Sequence, residues 1–171
     1  MLIRPAAPHD LPAIQSIYAY HVLKGLASFE EEAPPLEEMR RRFEDVTGRG
    51  LPYLVAEDEG EILGYGYCSL YRARSAYRFT LEDSIYVKQD MQGKGVGKAM
   101  LRELIARCES LNYRQIIAVI GDSANAASIA VHTSLGFVRA GNLRSTGYKF
   151  GRWVDSVLMQ RPLGSGDGSK P

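Results

Sequence analysis

Three glycines at alternate positions mark the segment of this chain with the clearest chemical potential, Gln92–Lys98. The segment reads QGKGVGK, follows an apolar run and leads into a sequence with helical spacing. Glycines leave backbone N–H groups uncovered, and a helix that begins there turns its unpaired N–H groups and the positive end of its dipole toward the loop. Such loops bind phosphate oxygens, so the sequence predicts a nucleotide-like cofactor.

Three phosphate-binding motifs compete for this loop. A Walker loop, GxxxxGK[ST], needs Ser or Thr after its lysine to hold a magnesium ion, and here Ala99 follows Lys98. A dinucleotide fingerprint, GxGxxG, is not met because Gly97 comes one position too early, and because the loop lies after several predicted strands. The pattern Q/R-x-x-G-x-G/A is satisfied by Gln92–Gly97. The spacing therefore favours the third motif.

Hydrophobic periodicity predicts the elements that must position this loop. Asp10 is expected to cap a first helix that starts at the next residue, and a second helix follows from Leu36. Two further helices are predicted from about Gly97 to Leu111 and over Asn125–Leu135. Strands are predicted over Leu2–Arg4, Tyr53–Glu57, Ile62–Leu70, Phe79–Val87, Ile116–Ile120, Phe137–Ala140 and Val154–Gln160. An antiparallel first half and a later strand–helix–strand crossover predict an α/β fold with a mixed sheet.

Length, charge and cysteine content narrow the class of protein. The 171 residues, 45% of them hydrophobic, fit one domain over residues 1–163, followed by a Gly/Ser-rich tail over 164–171 that is expected to be flexible. A net charge of +1 gives no reason to expect a nucleic acid or a membrane as partner. No apolar run is long enough to span a bilayer, and no signal peptide is evident. Cys68 and Cys108 suggest buried, reduced thiols, no metal site and a cytoplasmic location.

Several segments together resemble the GNAT family of N-acetyltransferases. Gln92–Gly97 is similar to the family's motif A, and the strand Ile85–Val87 precedes it at the expected distance. Asn125–Ser128 and Leu135–Phe137 are similar to the two ends of the motif B helix. The resemblance narrows to the phosphinothricin and methionine sulfoximine or sulfone N-acetyltransferases through Thr80–Val87, Ala118–Gly121 and Gly147–Trp153. It implies the GNAT fold, a mixed, mostly antiparallel central sheet with a splayed strand pair, flanked by helices.

The resemblance implies an acetyl-CoA site with acetyl-CoA as cosubstrate. The pyrophosphate would be held by the motif A loop, which comprises Gln92, Gly93, Lys94, Gly95, Val96, Gly97 and Lys98. The pantetheine arm would run along Ile85, Tyr86 and Val87, and would contact Asn125, Ser128 and His132. A tight turn with solvated lysines is the structural alternative for the loop, and a simple N-cap is the alternative for Asn125.

Two residues are candidates for proton transfer. The acceptor amine must lose a proton before it attacks, and Glu82 matches the family's glutamate, either as the base or as the residue that holds a water relay. His132 stands where many members of the family have a tyrosine that protonates the departing thiolate. The alternatives are a solvated glutamate at a strand end and a histidine that only packs near the sulfur.

Arginine and aromatic residues are the candidates for acceptor binding. Arg72, Arg74 and, with less support, Arg78 precede the Glu82 strand, and arginine is the residue best suited to a carboxylate or phosphinate. The resemblance adds Phe29 as a pocket wall, and Glu82 and Tyr86 as neighbours of the substrate. Tyr148, Lys149 and Phe150 are further candidates for the lining of this cavity.

The resemblance predicts a function and a partner. The chain is expected to acetylate the α-amine of a small amino-acid-like substrate by direct attack in a ternary complex, and to form a homodimer through the region around Gly147–Trp153. A GNAT enzyme for a protein N-terminus, a lysine or a polyamine is the second hypothesis. A non-catalytic acyl-CoA-binding module is the third.

Overall fold

The computed structural model describes residues 1–171 as a seven-stranded sheet flanked by helices. The strands are β1 (Leu2–Pro5), β2 (Tyr53–Asp58), β3 (Glu61–Leu70), β4 (Thr80–Val87), β5 (Gln115–Gly121), β6 (Val138–Lys149) and β7 (Arg152–Pro162). The helices are α1 (Leu11–Lys24), α2 (Leu36–Gly48), α3 (Val96–Ser110) and α4 (Ala126–Ser134). The strand order is β1-β2-β3-β4-β5-β7-β6, and only β4 and β5 pair in parallel. This confirms the predicted mixed, mostly antiparallel α/β fold. None of the helices combines the length and the apolar character needed to cross a bilayer.

Strand alternation separates the two faces of β4. Tyr86 packs against Tyr18 of α1, with ring centroids 4.9 Å apart, whereas Asp83 is hydrogen bonded to His132 of α4. In the sheet register Asp83 lies opposite Cys68, whose thiol is 3.5 Å from that of Cys108 on α3. The first two helices therefore cover one face, and α3 and α4 cover the other. Both cysteines are free and buried, as predicted.

α3 lies close to β3 because two glycines there have no side chains. A Cβ at Gly64 would lie 2.9 Å from the Tyr86 carbonyl oxygen and 3.4 Å from the Met100 methyl group. A Cβ at Gly66 would lie 3.0 Å from the Met100 sulfur. The Met100 side chain is fully buried in this gap. The close approach fixes the first turns of α3, and with them the glycine loop, against the sheet.

β4 and β5 separate after four residue pairs. Thr80–Asp83 pairs with Gln115–Ala118, but β4 continues to Val87 and β5 continues to Gly121 without pairing further. On its other side β4 stays paired with β3 as far as Val87. The β5-facing edge of Ser84–Val87 therefore has no strand partner, so its backbone groups are available to a ligand, except the Val87 carbonyl, which accepts a hydrogen bond from His21 Nε2 at 2.8 Å.

The two closing strands are much longer than the sequence predicted. The predicted segments Phe137–Ala140 and Val154–Gln160 lie in or beside β6 and β7, which span Val138–Lys149 and Arg152–Pro162. Glycine, arginine and serine residues interrupt the apolar alternation of β6, so that its pattern resembles a loop. The hairpin turn is made by Phe150 and Gly151, whose φ angles are +51° and +74°.

The predicted capping role of Asp10 is wrong. Its carboxylate makes no capping hydrogen bond to α1. It instead accepts hydrogen bonds from the Arg4 guanidinium at 2.7 and 2.8 Å and from the Ala7 N–H at 2.8 Å. A charged donor on β1 and a single turn of 3-10 helix over Pro8–Asp10 together bind the carboxylate before the helix starts.

Candidate active site

The glycine loop, residues 92–97, presents unpaired donors at the start of α3. Gly93 and Gly95 have left-handed φ angles of +74° and +86°, and a Cβ at either position would meet nothing within 4 Å. Ala99 donates the first hydrogen bond of the helix, to the Gly95 carbonyl at 3.0 Å. The N–H groups of Val96–Lys98 therefore have no acceptor within the helix and face open space at the positive end of its dipole. This arrangement fits a phosphate group.

Gly97 joins this loop to the unpaired edge of β4. A Cβ built there would lie 3.5 Å from Val87 Cγ2 and 4.0 Å from Ile85 Cγ2. The phosphate-type donors and the free strand edge are thus adjacent, as one extended ligand requires. Lys94 lies exposed with its ammonium 3.7 Å from the Met91 sulfur, and Lys98 is half-buried in the first turn of α3.

Tyr86 lies on the α1 face of β4, and its backbone groups face β3 in the antiparallel register. Its ring is 9% exposed because Tyr18 and Tyr65 pack against it, with centroid distances of 4.9 and 5.2 Å. Burial raises the pKa of the phenol well above its ordinary value, so the group stays neutral. Little of the ring remains to line a substrate pocket, contrary to the sequence-based expectation.

The start of α4 lies beyond β5. Asn125 Oδ1 accepts a hydrogen bond from the Ser128 N–H at 3.1 Å, so the side chain is the N-cap of α4. Its Nδ2 group has no partner within the protein and is free to donate to a ligand. The capping role and the predicted ligand contact are therefore compatible, since each uses a different atom of the amide.

His132 is buried in an ion pair with Asp83. Its Nδ1 lies 2.8 Å from the Ser128 carbonyl oxygen, and its Nε2 lies 3.1 Å from Asp83 Oδ2. The histidine is 5% exposed and the aspartate 7%. The second oxygen, Asp83 Oδ1, is buried with no hydrogen-bond partner, so the carboxylate depends on the imidazole for compensation.

These contacts determine the protonation state of His132. A carbonyl oxygen only accepts, so Nδ1 carries a proton, and Nε2 also needs one to donate to the carboxylate. Burial alone lowers the pKa of His132, but the hydrogen bond and charge of Asp83 outweigh it and raise the pKa above the ordinary 6.5. The raised pKa favours the imidazolium, in which both N–H groups are in use. Proton donation to a thiolate would require one of these hydrogen bonds to break.

Glu82 lies on the opposite face of β4 from Asp83. It is half-buried, and it pairs with Ser69 of β3 and Ile117 of β5 in the sheet register. Burial raises the pKa of its carboxyl group above 4.5, the charge of Asp83 raises it further, and the charge of Arg72 opposes both. A carboxylate with a raised pKa at the point where β4 and β5 separate is a suitable proton acceptor.

The three arginines lie together on the exposed segment between β3 and β4. Arg72 lies over the Tyr71 ring with 5.0 Å between the guanidinium and the centroid. Arg78 is engaged locally, because it lies 4.5 Å from the centroid of Phe79 and donates to the Ser75 carbonyl at 3.1 Å. The side chain of Arg74 makes no hydrogen bond or ion pair. The guanidinium N–H groups of Arg72 and Arg74 are therefore available to an anion, whereas some of those of Arg78 are already used.

Phe29 lies on the loop between α1 and α2, against the ends of β5 and β6. A Cβ at Gly147 would lie 2.5 Å from Phe29 Cε2, and a Cβ at Gly121 would lie 3.1 Å from Cε1. The ring is 38% exposed, so one side rests on these glycines and the other stays open. Tyr148 and Phe150, in contrast, are exposed on the closing hairpin, while Lys149 is buried.

Sequence reasoning missed two components of this site. Asp83 was not singled out, although its position on the buried face of a predicted strand signals a charge that needs a partner. The contact of Phe29 with Gly121 and Gly147 joins residues more than 90 positions apart, and no local pattern predicts it.

A groove that could be mistaken for the site lies elsewhere on the protein. It has a volume of about 840 Å³ and runs between α1, the β2–β3 turn and the segment after β4, where Tyr20, Glu61, Lys88 and Asp90 line it. Its wall is a surface of opposed charges that already form ion pairs, such as Lys88 with Glu61. It contains neither the glycine loop nor Glu82.

Comparisons with known proteins agree with this geometry. The family model of the acetyltransferase (GNAT) domain matches residues 3–158. The chain is 57% identical to a phosphinothricin N-acetyltransferase of Alcaligenes faecalis, covering 99% of this chain and 86% of the relative. It is 40% identical to an L-methionine sulfoximine/L-methionine sulfone acetyltransferase of Pseudomonas aeruginosa, covering 94% of each. A crystal structure of a phosphinothricin acetyltransferase from Sinorhizobium meliloti in complex with AcCoA superposes with a TM-score of 0.97 at 50% identity, covering 99% of this chain and 92% of that one.

NMR titration of the histidines tests the buried ion pair. His132 is expected to titrate above pH 6.5, whereas His21 should titrate below it, because burial lowers its pKa more than the hydrogen bond to the Val87 carbonyl raises it. The Asp83→Asn variant lacks the negative charge that raises the pKa of His132, so this pKa should fall below 6.5. A wild-type His132 that titrates below pH 6.5 contradicts the imidazolium assignment.

The same pair gives a pH dependence of stability. The pKa of His132 is higher in the folded than in the unfolded protein. The contribution of this group to the free energy of unfolding is therefore complete below the unfolded pKa and is lost as the pH rises through the folded pKa. Asp83→Asn should lower the free energy of unfolding by about 3–5 kcal/mol at pH 6, because it breaks a buried pair. Urea unfolding at pH 6 and pH 9 measures both effects. The variant should lack the loss of stability between these pH values that the pair causes in the wild type.

Proposed function

This chain belongs to the GNAT acetyltransferase family, and from that premise we propose that it acetylates the α-amine of a small anionic amino acid of the phosphinothricin, methionine sulfoximine or methionine sulfone type. Acetyl-CoA is the cosubstrate and supplies an acetyl group activated as a thioester. The observation that carries the proposal is that the glycine loop adjoins the unpaired edge of β4, which begins two residues after Glu82. The names of the relatives from Alcaligenes faecalis and Pseudomonas aeruginosa support the choice of acceptor.

Three parts of the chain would hold acetyl-CoA in this proposal. The N–H groups of the glycine loop and of Val96–Lys98 would bind the pyrophosphate, with Gln92, Lys94 and Lys98 at its margin. The free backbone groups of Ile85–Val87 would hydrogen bond the pantetheine arm. Asn125 would donate through Nδ2, the amide atom that its capping bond leaves free, with Ser128 one turn further along α4.

Glu82 would accept the proton of the acceptor ammonium, directly or through one water. The neutral amine then attacks the thioester carbonyl and the new C–N bond forms. As the C–S bond breaks, the CoA thiolate departs, and the second proton that the nitrogen loses on becoming an amide passes to the thiolate or to solvent. A pKa raised by burial brings the carboxylate closer to the strength that this transfer needs. No cysteine is placed as an acyl carrier, because both thiols are buried on the α3 side of the sheet.

His132 is proposed to act through position and charge. Its ring contacts Asp83, which follows Glu82 on β4 and faces the opposite side of the sheet, and the ring is held there by Asp83 and the Ser128 carbonyl. A fixed positive charge near the end of β4 would stabilise a departing thiolate. That His132 donates its proton directly to the CoA thiolate stays a prediction.

Arg72 and Arg74 would bind the acceptor anion. Both are exposed and uncommitted, and Arg72 is near enough to Glu82 to lower the pKa of that carboxyl group. Phe29 would bound the acceptor on the side of β5 and β6. An arginine-lined entrance disfavours polyamines, which carry several positive charges.

A homodimer and a cytoplasmic location are proposed as well. The closing hairpin exposes three large aromatic side chains, Tyr148 at 57%, Phe150 at 57% and Trp153 at 64%, which a second copy of the chain would cover. The two free thiols favour a reducing compartment, which cell fractionation tests directly.

Two alternative functions stay open to experiment. An enzyme for protein N-termini, lysines or polyamines would acetylate peptides or polyamines but not free amino acids. A non-catalytic module would bind acetyl-CoA without turnover of any amine. A steady-state screen of phosphinothricin, methionine sulfone, a short peptide and spermidine separates all three.

Replacement of Glu82 tests the catalytic assignment. Glu82→Gln keeps the size of the side chain but cannot take a proton, so kcat should fall at least about tenfold while the Kd of acetyl-CoA stays within about twofold. Stopped assays with a thiol reagent give kcat, and calorimetry gives Kd. An unchanged kcat removes Glu82 from the mechanism.

Substitution of the two free arginines tests acceptor binding. Arg72→Ala and Arg74→Ala should each raise the KM of methionine sulfone about tenfold or more, because each removes a charge-assisted hydrogen bond, and the KM of acetyl-CoA should not change. Arg41→Ala, an exposed arginine on α2, is the matched control. Equal KM values for the Arg72, Arg74 and Arg41 variants would exclude an anion site at this segment.

Light scattering with chromatography tests the dimer. Wild-type protein should elute with the mass of two 18.9 kDa chains, and Trp153→Ser should shift it toward one. Leu23→Ser, at a similarly exposed apolar residue of α1, should leave the mass unchanged. A wild-type protein that elutes as a monomer refutes the dimer.

A further inference from the structure

Lys149 is a buried lysine whose donors all point into the protein. It is 2% exposed at the end of β6. Its ammonium donates to the Gly25 carbonyl at 2.9 Å and to the Ser28 carbonyl at 2.7 Å, and it lies 5.0 Å from the centroid of the Phe150 ring. A buried charge is costly unless such partners satisfy it, so this cage is a built feature of the fold.

Both carbonyls belong to the loop between α1 and α2, residues 25–35. The same loop has a second anchor on the other side of Phe29. The Tyr18 O–H donates to Glu30 at 2.8 Å, and Arg42 of α2 donates to Glu30 at 2.6 Å. Phe29 is therefore the residue between two anchors, one on β6 and one on the helices.

The ring of Phe29 has only one position under these restraints. Gly147 lies two residues before Lys149 on β6, and Gly121 is the last residue of β5, where the strands have separated most. A side chain at either glycine would collide with Phe29 or with the Leu26 carbonyl, which would lie 2.0 Å from a Cβ at Gly121. The two glycines thus leave the space that the ring occupies, and the lysine holds the loop that carries the ring.

We infer that Lys149 is a positioning residue for acceptor specificity, which holds Phe29 at the wide end of the β4–β5 opening through the Gly25 and Ser28 carbonyls. The inference rests on the proposed function, in which Phe29 bounds the acceptor. Lysine suits the task because a single nitrogen on a long stem reaches two carbonyls at once. Methionine has a similar shape and no donor, so Lys149→Met leaves both carbonyls unpaired and releases the loop.

Steady-state kinetics with methionine sulfone as the acceptor give the first test. Lys149→Met should raise the KM of methionine sulfone at least about fivefold and leave the KM of acetyl-CoA within about twofold. Lys24→Met, at an exposed lysine just before the loop, is the matched control and should change neither constant. Unchanged acceptor kinetics in folded Lys149→Met overturns the inference.

A double-mutant cycle separates positioning from general damage. If Lys149 acts through the ring, Lys149→Met should have less than about a twofold effect on the acceptor KM in a Phe29→Ala background. An equal effect in both backgrounds overturns the inference. Gly147→Ala supplies a second variant that displaces the ring without touching Lys149, and it should also raise the acceptor KM.

Hydrogen exchange distinguishes a failure of the inference from a failure of the proposed function. The amides of Leu26–Phe29 should exchange faster in Lys149→Met than in wild type or Lys24→Met, with no substrate present. Unchanged exchange defeats the inference even if the enzyme acetylates methionine sulfone. Faster exchange in a protein that acetylates none of the amino acids would show that Lys149 holds the loop, but it would defeat the proposed function. The role of Lys149 in acceptor specificity would then fail as well.

Discussion

The separation of β4 from β5 after Asp83 is the constraint on which the rest of the structure depends. A parallel pair normally continues its hydrogen-bond ladder, and here it stops after four residue pairs while both strands go on. The backbone groups of Ser84–Val87 are then left for a ligand, and the glycine loop lies beside them. Glu82 and Asp83 are the last residues of β4 that pair with β5, so the groups proposed for proton transfer and for thiolate stabilisation lie where the opening begins.

The opening is lined differently on its two faces, and the proposed roles follow from this difference. On the α4 face a buried imidazolium is fixed by Asp83 and a helix carbonyl, which suits a leaving group that gains negative charge. On the α1 face Glu82 has a raised pKa, which suits proton acceptance from the amine. Phe29, held by anchors from β6, α1 and α2, closes the far end. Because side chains alternate along β4, the group that would stabilise the thiolate and the group that would accept the proton lie on opposite faces of one strand.

Local patterns predicted much of this fold, and long-range contacts account for what they missed. The glycine loop, the α3 and α4 helices and the mixed sheet follow from spacing that spans a few residues, and the structure confirms them. The cap of α1 was wrong because Arg4, on another element, takes the Asp10 carboxylate. The length of β6 and the burial of Lys149 depend on partners up to 124 positions away, which no window of sequence contains.

Amide hydrogen exchange of the wild-type protein with and without CoA tests the central claim most directly. If CoA occupies the β4–β5 opening, exchange should slow at Ile85–Val87 and at Gly93–Lys98, and it should not change around Tyr20 and Lys88 in the large groove beside α1. Protection confined to that groove, with the glycine loop and the end of β4 unaffected, would contradict the claim that the strand separation forms the cofactor site.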